Sequence, residues 1–176
     1  MLIEKAIVDI IKEFPTNSDR LLQKESYFRR VYSLLIDSKS FLEIGYRKGL
    51  FVEICKFLEI QSEHVDISDD LLRAVPSENN KCITSPSLSY LKECKSKFDL
   101  IFQDGSKEYD CRKKEYDLIV SGSILKEKGK IIVDDLHYPA CKKAFNYAIK
   151  RHGFHGKTFS ARENLEYKMG LLQFKS

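Results

Sequence analysis

The chain has 176 residues, 43% hydrophobic and 32% charged, with eight glycines and four prolines. That length and balance fit one globular domain and exclude a collagen-like, low-complexity or loop-dominated chain. Thirty Lys and Arg against 26 Asp and Glu leave a formal charge of +4, too slight an excess to mark a dedicated nucleic-acid binder.

The N-terminal segment places Ile3, Ile7, Ile10, Ile11 and Phe14 on one helical stripe. Pro15 to Ser18 break it and offer cap residues to a second helix, in which Leu21, Tyr27, Phe28, Val31, Leu34 and Leu35 share a face. Glu4, Lys5 and Asp9 interrupt the first apolar run, so no signal peptide is expected. The longest uncharged stretch, Cys82 to Leu91, holds three serines and a proline, so no membrane span is expected. From here the rhythm changes. Short apolar runs at Phe41–Ile44, His64–Ile67, Lys81–Thr84, Phe98–Phe102 and Lys130–Val133 alternate with helical stretches such as Leu50 to Ile60, Tyr109 to Leu125 and Pro139 to His152. Strands buried on both faces read as continuous apolar runs, so the alternation predicts a parallel sheet between helices. Phe154 to Ala161 and Tyr167 to Phe174 lack a helix between them and predict a closing antiparallel hairpin. The five cysteines are scattered without CxxC or zinc-ligand spacing and read as free thiols. One domain is expected, residues 1–38 forming N-terminal helices and 39–176 an α/β core.

Ligands of open α/β sheets bind beyond the carboxyl ends of the strands. Four of the five expected parallel strands end in carboxylates: Glu43, Asp66, Asp104 and the pair Asp134–Asp135. Such clustering is unfavourable unless a ligand or cation uses it. The first turn, Gly45-Tyr46-Arg47-Lys48-Gly49, lacks the central glycine of a dinucleotide fingerprint, yet its two glycines permit a tight turn and close ligand approach. Glu43 before it suits a ligand carrying an ammonium group. Asp66 stands where a carboxylate accepts ribose hydroxyls, or where it caps a following helix. Asp134 and Asp135 admit a capping role at the helix from Pro139 as well, although that leaves Asp104 unexplained.

EIGYRKG, HVDIS, KFDLIFQDG and GKIIVDDLHYPACKKAF together resemble a class I S-adenosylmethionine-dependent methyltransferase. More narrowly, they are similar to the small-molecule O-methyltransferases of the macrocin and catechol types. The resemblance runs from Phe41 to the C-terminus. It implies a Rossmann-like, seven-stranded, mostly parallel sheet with an antiparallel last strand and helices on both faces. It puts the cofactor S-adenosylmethionine on Glu43, Gly45, Tyr46, Gly49, Asp66, Ile67 and Asp104, with Ser87 beside the adenine. It also implies a divalent cation, Mg²⁺, on Asp104, Asp134 and Asp135, hard oxygen ligands of the kind that ion prefers. Lys107 matches the lysine base of catechol-type enzymes, and otherwise reads as a solvated surface lysine. Ser106 stands where macrocin-type relatives carry an acidic residue. His137 lies where it could contact substrate or pass a proton. The expected activity is metal-assisted O-methylation of a small hydroxylated molecule by a cytoplasmic monomer or homodimer. The basic clusters Lys107–Lys114 and Lys126–Lys130 leave a metal-independent RNA or protein methyltransferase as one alternative, and a non-catalytic binding domain is the other.

Overall fold

The computed structural model describes residues 2–13, 31–160 and 168–174. Its elements are α1 (Leu2–Glu13), β1 (Ser40–Ile44), α2 (Leu50–Phe57), β2 (Gln61–Asp66), β3 (Asn80–Thr84), α3 (Ser87–Glu93), β4 (Phe98–Gln103), α4 (Tyr109–Ser121), β5 (Leu125–Val133), α5 (Pro139–His152), β6 (Phe154–Ser160) and β7 (Lys168–Phe174). Seven strands form one sheet in the order β3-β2-β1-β4-β5-β7-β6. β1 to β5 pair in parallel. β7 runs antiparallel to both β5 and β6 and so lies between them. The expected mostly parallel sheet with a reversed last strand is what forms. The expected hairpin residues Ala161 and Tyr167 lie outside the described residues, as do Phe14, Pro15 to Ser18, Leu21, Tyr27 and Phe28.

Helices cover both faces because each strand sends alternate apolar side chains to opposite sides. On one face Leu42, Ile44, Val65 and Ile101 pack against Leu91 of α3, Tyr116 and Ile119 of α4, and Cys141, Ala144 and Phe145 of α5. On the other, Phe41, Leu100, Phe102 and Ile132 meet Ile7 of α1, Phe51, Ile54 and Cys55 of α2, and Val31 and Leu35. Ile10 and Ile11 pack against the same cluster, so part of the N-terminal stripe is core, and residues 31–35 are helical.

Two boundaries differ from expectation. α4 stops at Ser121, where Gly122 is its C-cap, and Ser123 takes a left-handed φ of 51°. β5 then begins at Leu125, which pairs with Phe98, and reaches its main register from Lys130 after an irregularity. The polar run Lys126–Lys130 hides that early start from a reading of apolar runs. The segment 67–79 between β2 and β3 contains no helix. Strand order turns at β1, whose neighbours are β2 and β4, so the place for a ligand cleft is above the carboxyl ends of these strands.

Candidate active site

The Gly45 turn is held from both sides. Gly45 N donates to Val65 O at 2.7 Å, and Asp104 N to Ile44 O at 2.9 Å. Gly45 has φ +95°, and a Cβ there would lie 2.5 Å from Asp104 O and 2.7 Å from its carbonyl carbon. Glycine is therefore required both by the backbone angle and by the approach of the β4 end. Gly49, at φ +84°, closes the turn as the N-cap of α2, packed against Ala74 and Leu72. Lys48 O accepts from Arg73 N and Ala74 N at 3.0 and 3.3 Å, so the irregular 67–79 segment clasps the same turn. Tyr46 is buried, and burial holds its phenol above the usual range.

Asp66 has no helix to cap. Its Oδ2 accepts from Arg47 N at 2.9 Å and its Oδ1 from Ile67 N at 2.7 Å, which fixes the carboxylate at the rim. A carboxylate has about four acceptor sites, so two remain for a ligand's hydroxyls. Beside it the Ile67 side chain is 76% exposed, an apolar surface beside the open cleft. Glu43, by contrast, is 3% exposed, with Oε2 2.6 Å from His64 Nδ1. Burial, and then the nearby Asp66 charge, holds its carboxyl well above the ordinary range.

The ends of β4 and β5 bring Asp104, Asp134 and Asp135 together. Burial first, then Asp134 and Asp135, raise the Asp104 carboxyl, while Arg112 opposes them. Asp134 and Asp135 are 2% and 3% exposed. Asp134 Oδ1 accepts from Asp135 N at 2.7 Å, and Asp135 takes a left-handed φ of 64°. Asp135 Oδ2 lies 3.2 Å from Lys107 Nζ, and its Oδ1 is 3.8 Å from His137 Nε2. The Lys107 ammonium also sits 4.5 Å above the Tyr138 ring, a cation–π position. Although partial burial opposes it, the Asp135 carboxylate leaves the Lys107 ammonium harder to deprotonate than usual. α5 starts at Pro139, with Tyr138 as N-cap and no side-chain capping bond.

Two residues that the sequence reading passed over brace these loops. Arg112 of α4 is fully buried; its Nε donates to Ser106 O and its Nη1 to Asp134 O, the latter at 2.9 Å. One guanidinium thus ties the loop after β4 to the loop after β5. Glu115, also buried, accepts from Gln103 Nε2 and from Ser87 Oγ. The Ser87 proton is thereby committed to Glu115, so its oxygen meets a ligand only as an acceptor. α4 mixes charged and apolar residues around its circumference, which is why neither residue stood out.

The donor chemistry of the three aspartates suits Mg²⁺. Among the described residues no three His, Cys, Asp or Glu side chains are placed to hold a metal ion. Asp134 turns an oxygen to its neighbour's amide, and Asp135 already faces the chain's own cation, Lys107. No helix among the described residues is long and apolar enough to cross a membrane.

No family model and no curated protein matches the chain, whereas solved structures match along its whole length. The SAH-bound methyltransferase PaMTH1 of Podospora anserina aligns with a TM-score of 0.69 at 18% identity, over 99% of this chain and 93% of that one. A SAM-dependent methyltransferase from Archaeoglobus fulgidus gives 0.65 at 17%, over 96% and 99%. The O-methyltransferase TomG of Streptomyces achromogenes, in complex with SAM, gives 0.64 at 10%, over 99% and 90%. Strand order, reversed seventh strand and these likenesses agree: the chain has the fold of the S-adenosylmethionine-dependent methyltransferases.

Proposed function

We propose that this protein is an S-adenosylmethionine-dependent methyltransferase acting on the oxygen of a small hydroxylated molecule. The observation that carries the reading is the convergence of Glu43, Asp66 and Asp104 around a turn at the β1/β4 switch point, where a Cβ on Gly45 would strike the β4 end. The donor set suits this cofactor. Asp66, held by two amides, has acceptor sites for the ribose hydroxyls, Ile67 offers an apolar surface to the adenine, and Glu43 carries a carboxyl for the methionine ammonium. When bound, the cofactor supplies a methyl group on a positively charged sulfur.

The chain's own residues then have to place an acceptor oxygen and deal with its proton. Lys107, protonated beside Asp135, donates a hydrogen bond to that oxygen and stabilises it as charge develops. Asp104, close enough to Asp134 and Asp135 to feel their charge, is the group suited to take the proton. His137 lies at the same carboxylate and borders the acceptor position. Arg112 keeps the two loops in one register, which matters because in-line transfer depends on placement. No step here runs through a divalent cation.

Calorimetry with S-adenosylhomocysteine tests the cofactor half. Wild type binds, and Asp66→Asn, which keeps the shape but turns one acceptor into a donor, binds at least about tenfold more weakly. Absence of binding at millimolar ligand refutes the reading. Transfer of labelled methyl groups to a panel of phenols and aliphatic alcohols, with RNA and protein as parallel acceptors, tests the other half. Labelling confined to RNA or protein overturns the small-molecule assignment.

A further inference from the structure

β2 carries polar residues at alternate positions, Ser62, His64 and Asp66, on a face whose other neighbours, Phe41 and Cys55, are apolar core. Ser62 and His64 are buried, at 1% and 0% exposure. Unpaired polar groups there would cost several kcal/mol (~1–3 each), so their hydrogen bonds have to close. They do close, and one direction is favoured. Asn80 Nδ2 lies 2.6 Å from Ile60 O and 2.8 Å from Ser62 Oγ. A carbonyl can only accept, so that nitrogen must be the amide donor, and the Asn80 Oδ1 in turn accepts from Ser77 Oγ at 3.0 Å. Ser62 Oγ therefore accepts from Asn80, and its single proton has two acceptors in reach, His64 Nε2 at 2.7 Å and the Cys55 sulfur; sulfur is the weak acceptor of the two, so the proton goes to His64. With Nε2 an acceptor, the neutral imidazole carries its hydrogen on Nδ1, and Nδ1 donates to Glu43 Oε2 at 2.6 Å. The tautomer is set by counting protons from the edge of the sheet inward.

The other oxygen, Oε1 of Glu43, has no hydrogen-bond partner among the described residues. The titratable groups near Glu43 are Asp66 at the end of β2, Asp104 beyond β4, Cys55 of α2 and Cys82 of β3. None is a cation, and burial keeps His64 itself neutral, with its pKa lowered to about 3. The imidazole thus contributes an aimed N–H rather than a charge. It pins one carboxyl oxygen and leaves the other for a positive group arriving from the cleft, whose charge favours the ionised form of Glu43.

We propose that His64 is a positioning residue for cofactor binding: through Glu43, and with its tautomer set by Ser62 and Asn80, it fixes the carboxylate that receives the methionine ammonium. This rests on the reading that the chain binds S-adenosylmethionine. His64 touches neither cofactor nor substrate, and its effect is confined to the amino-acid end of the ligand.

Two ligands separate that role from general packing. S-adenosylhomocysteine carries the ammonium, whereas 5′-methylthioadenosine shares adenine, ribose and sulfur but ends in a methyl group. In the full chain, His64→Leu is expected to weaken S-adenosylhomocysteine about tenfold in calorimetry and to leave methylthioadenosine within about twofold. His64→Asn, whose amide can present an N–H near the place of Nδ1, is expected to recover most of the loss. Equal weakening of both ligands, or of neither, by a folded His64→Leu overturns the proposal. Should that variant not fold, Ser62→Ala, which removes the proton that sets the tautomer, must show a selective loss for S-adenosylhomocysteine. Without that selectivity the proposal fails. If wild type binds neither ligand, the cofactor reading itself falls and takes this role with it. If it binds both and no variant discriminates between them, only the role of His64 is lost.

Discussion

Gly45→Ala probes the frame of the site more directly than any change to a charged residue. Two separable penalties act at this position. The backbone angle, φ +95°, costs an alanine about 1–2 kcal/mol. The new Cβ would also lie 2.5, 2.7 and 2.9 Å from Asp104 O, Asp104 C and Gly105 N. These are backbone atoms, and the hydrogen bonds from Gly45 N to Val65 O and from Asp104 N to Ile44 O tie both partners in place. Relief therefore means moving two strand ends, at an overpacking cost of about 1–3 kcal/mol. Gly153 supplies the control: it has φ +71°, yet nothing lies within 4 Å of its hypothetical Cβ, so only the backbone penalty applies. Both substitutions stiffen the unfolded chain alike, and that gain cancels in the comparison. The expected loss is about 2–5 kcal/mol for Gly45→Ala against about 1–2 for Gly153→Ala. At about 2–4 °C per kcal/mol for a chain of this size, thermal unfolding by circular dichroism separates the two. S-adenosylhomocysteine binding should be weakened only by Gly45→Ala. Equal drops in Tm, with binding intact in both variants, would show that the turn and the β4 end have room to part, refuting the close-approach argument.

Lys107→Met removes the cation that faces Asp135. A half-exposed ion pair is worth about 0.2–1 kcal/mol, so Tm should fall by no more than about 4 °C, whereas methyl transfer should drop by about a hundredfold because the donor to the acceptor oxygen is gone; unchanged transfer in the labelling assay refutes that role for Lys107. Glu43 and Asp104 are held above the usual carboxylate range mainly by burial, with neighbouring aspartates adding to it. The ammonium of S-adenosylhomocysteine favours the ionised form of Glu43, so binding releases a proton wherever that group is still protonated, and affinity falls as pH drops through its raised range. Calorimetry of S-adenosylhomocysteine binding at one acidic pH, in two buffers of different ionisation enthalpy, reads the sign; net proton uptake contradicts it.

Much of the fold was legible because parallel strands buried on both faces leave continuous apolar runs. The five runs from Phe41 to Val133 all fall within strands, apart from Ile67 just past the end of β2. β5 was cut short because Lys126–Lys130 breaks its run, although pairing with β4 begins at Leu125. The strand-end carboxylates were legible for a related reason. A charge at the end of an apolar run is conspicuous, and topology alone then brings Glu43, Asp66, Asp104 and Asp134 to one edge. What holds those carboxylates was not visible. Arg112 and Glu115 sit among charged neighbours on α4, and only the folded chain distinguishes a buried arginine from a solvated one. Ser62, His64 and Asp66 did leave a trace, polar residues at period two in a buried strand. Read physically, that pattern demands hydrogen-bonded partners on the same face, and Glu43 and Asn80 are the ones found.

The acidic edge is consistent with a ligand that brings positive charge, because the chain treats each carboxylate differently without neutralising them all. Asp66 is held by two backbone amides, Glu43 by an imidazole N–H, Asp134 by the amide of Asp135, and Asp135 by Lys107. Amides and a neutral imidazole orient a carboxylate without cancelling its charge, so the ion pair with Lys107 and the guanidinium of Arg112 are the cationic contributions among these contacts. Burial first, and then the remaining negative charge, raise the carboxyls of Glu43 and Asp104. A ligand with an ammonium at one end and a sulfonium near its centre supplies positive charge at both places. Its ammonium would meet Glu43, and its sulfonium would stand closer to Asp104. The unfavourable charge of this edge then becomes a source of selectivity: a neutral nucleoside meets Asp66 and Ile67 but gains nothing from the carboxylates that remain.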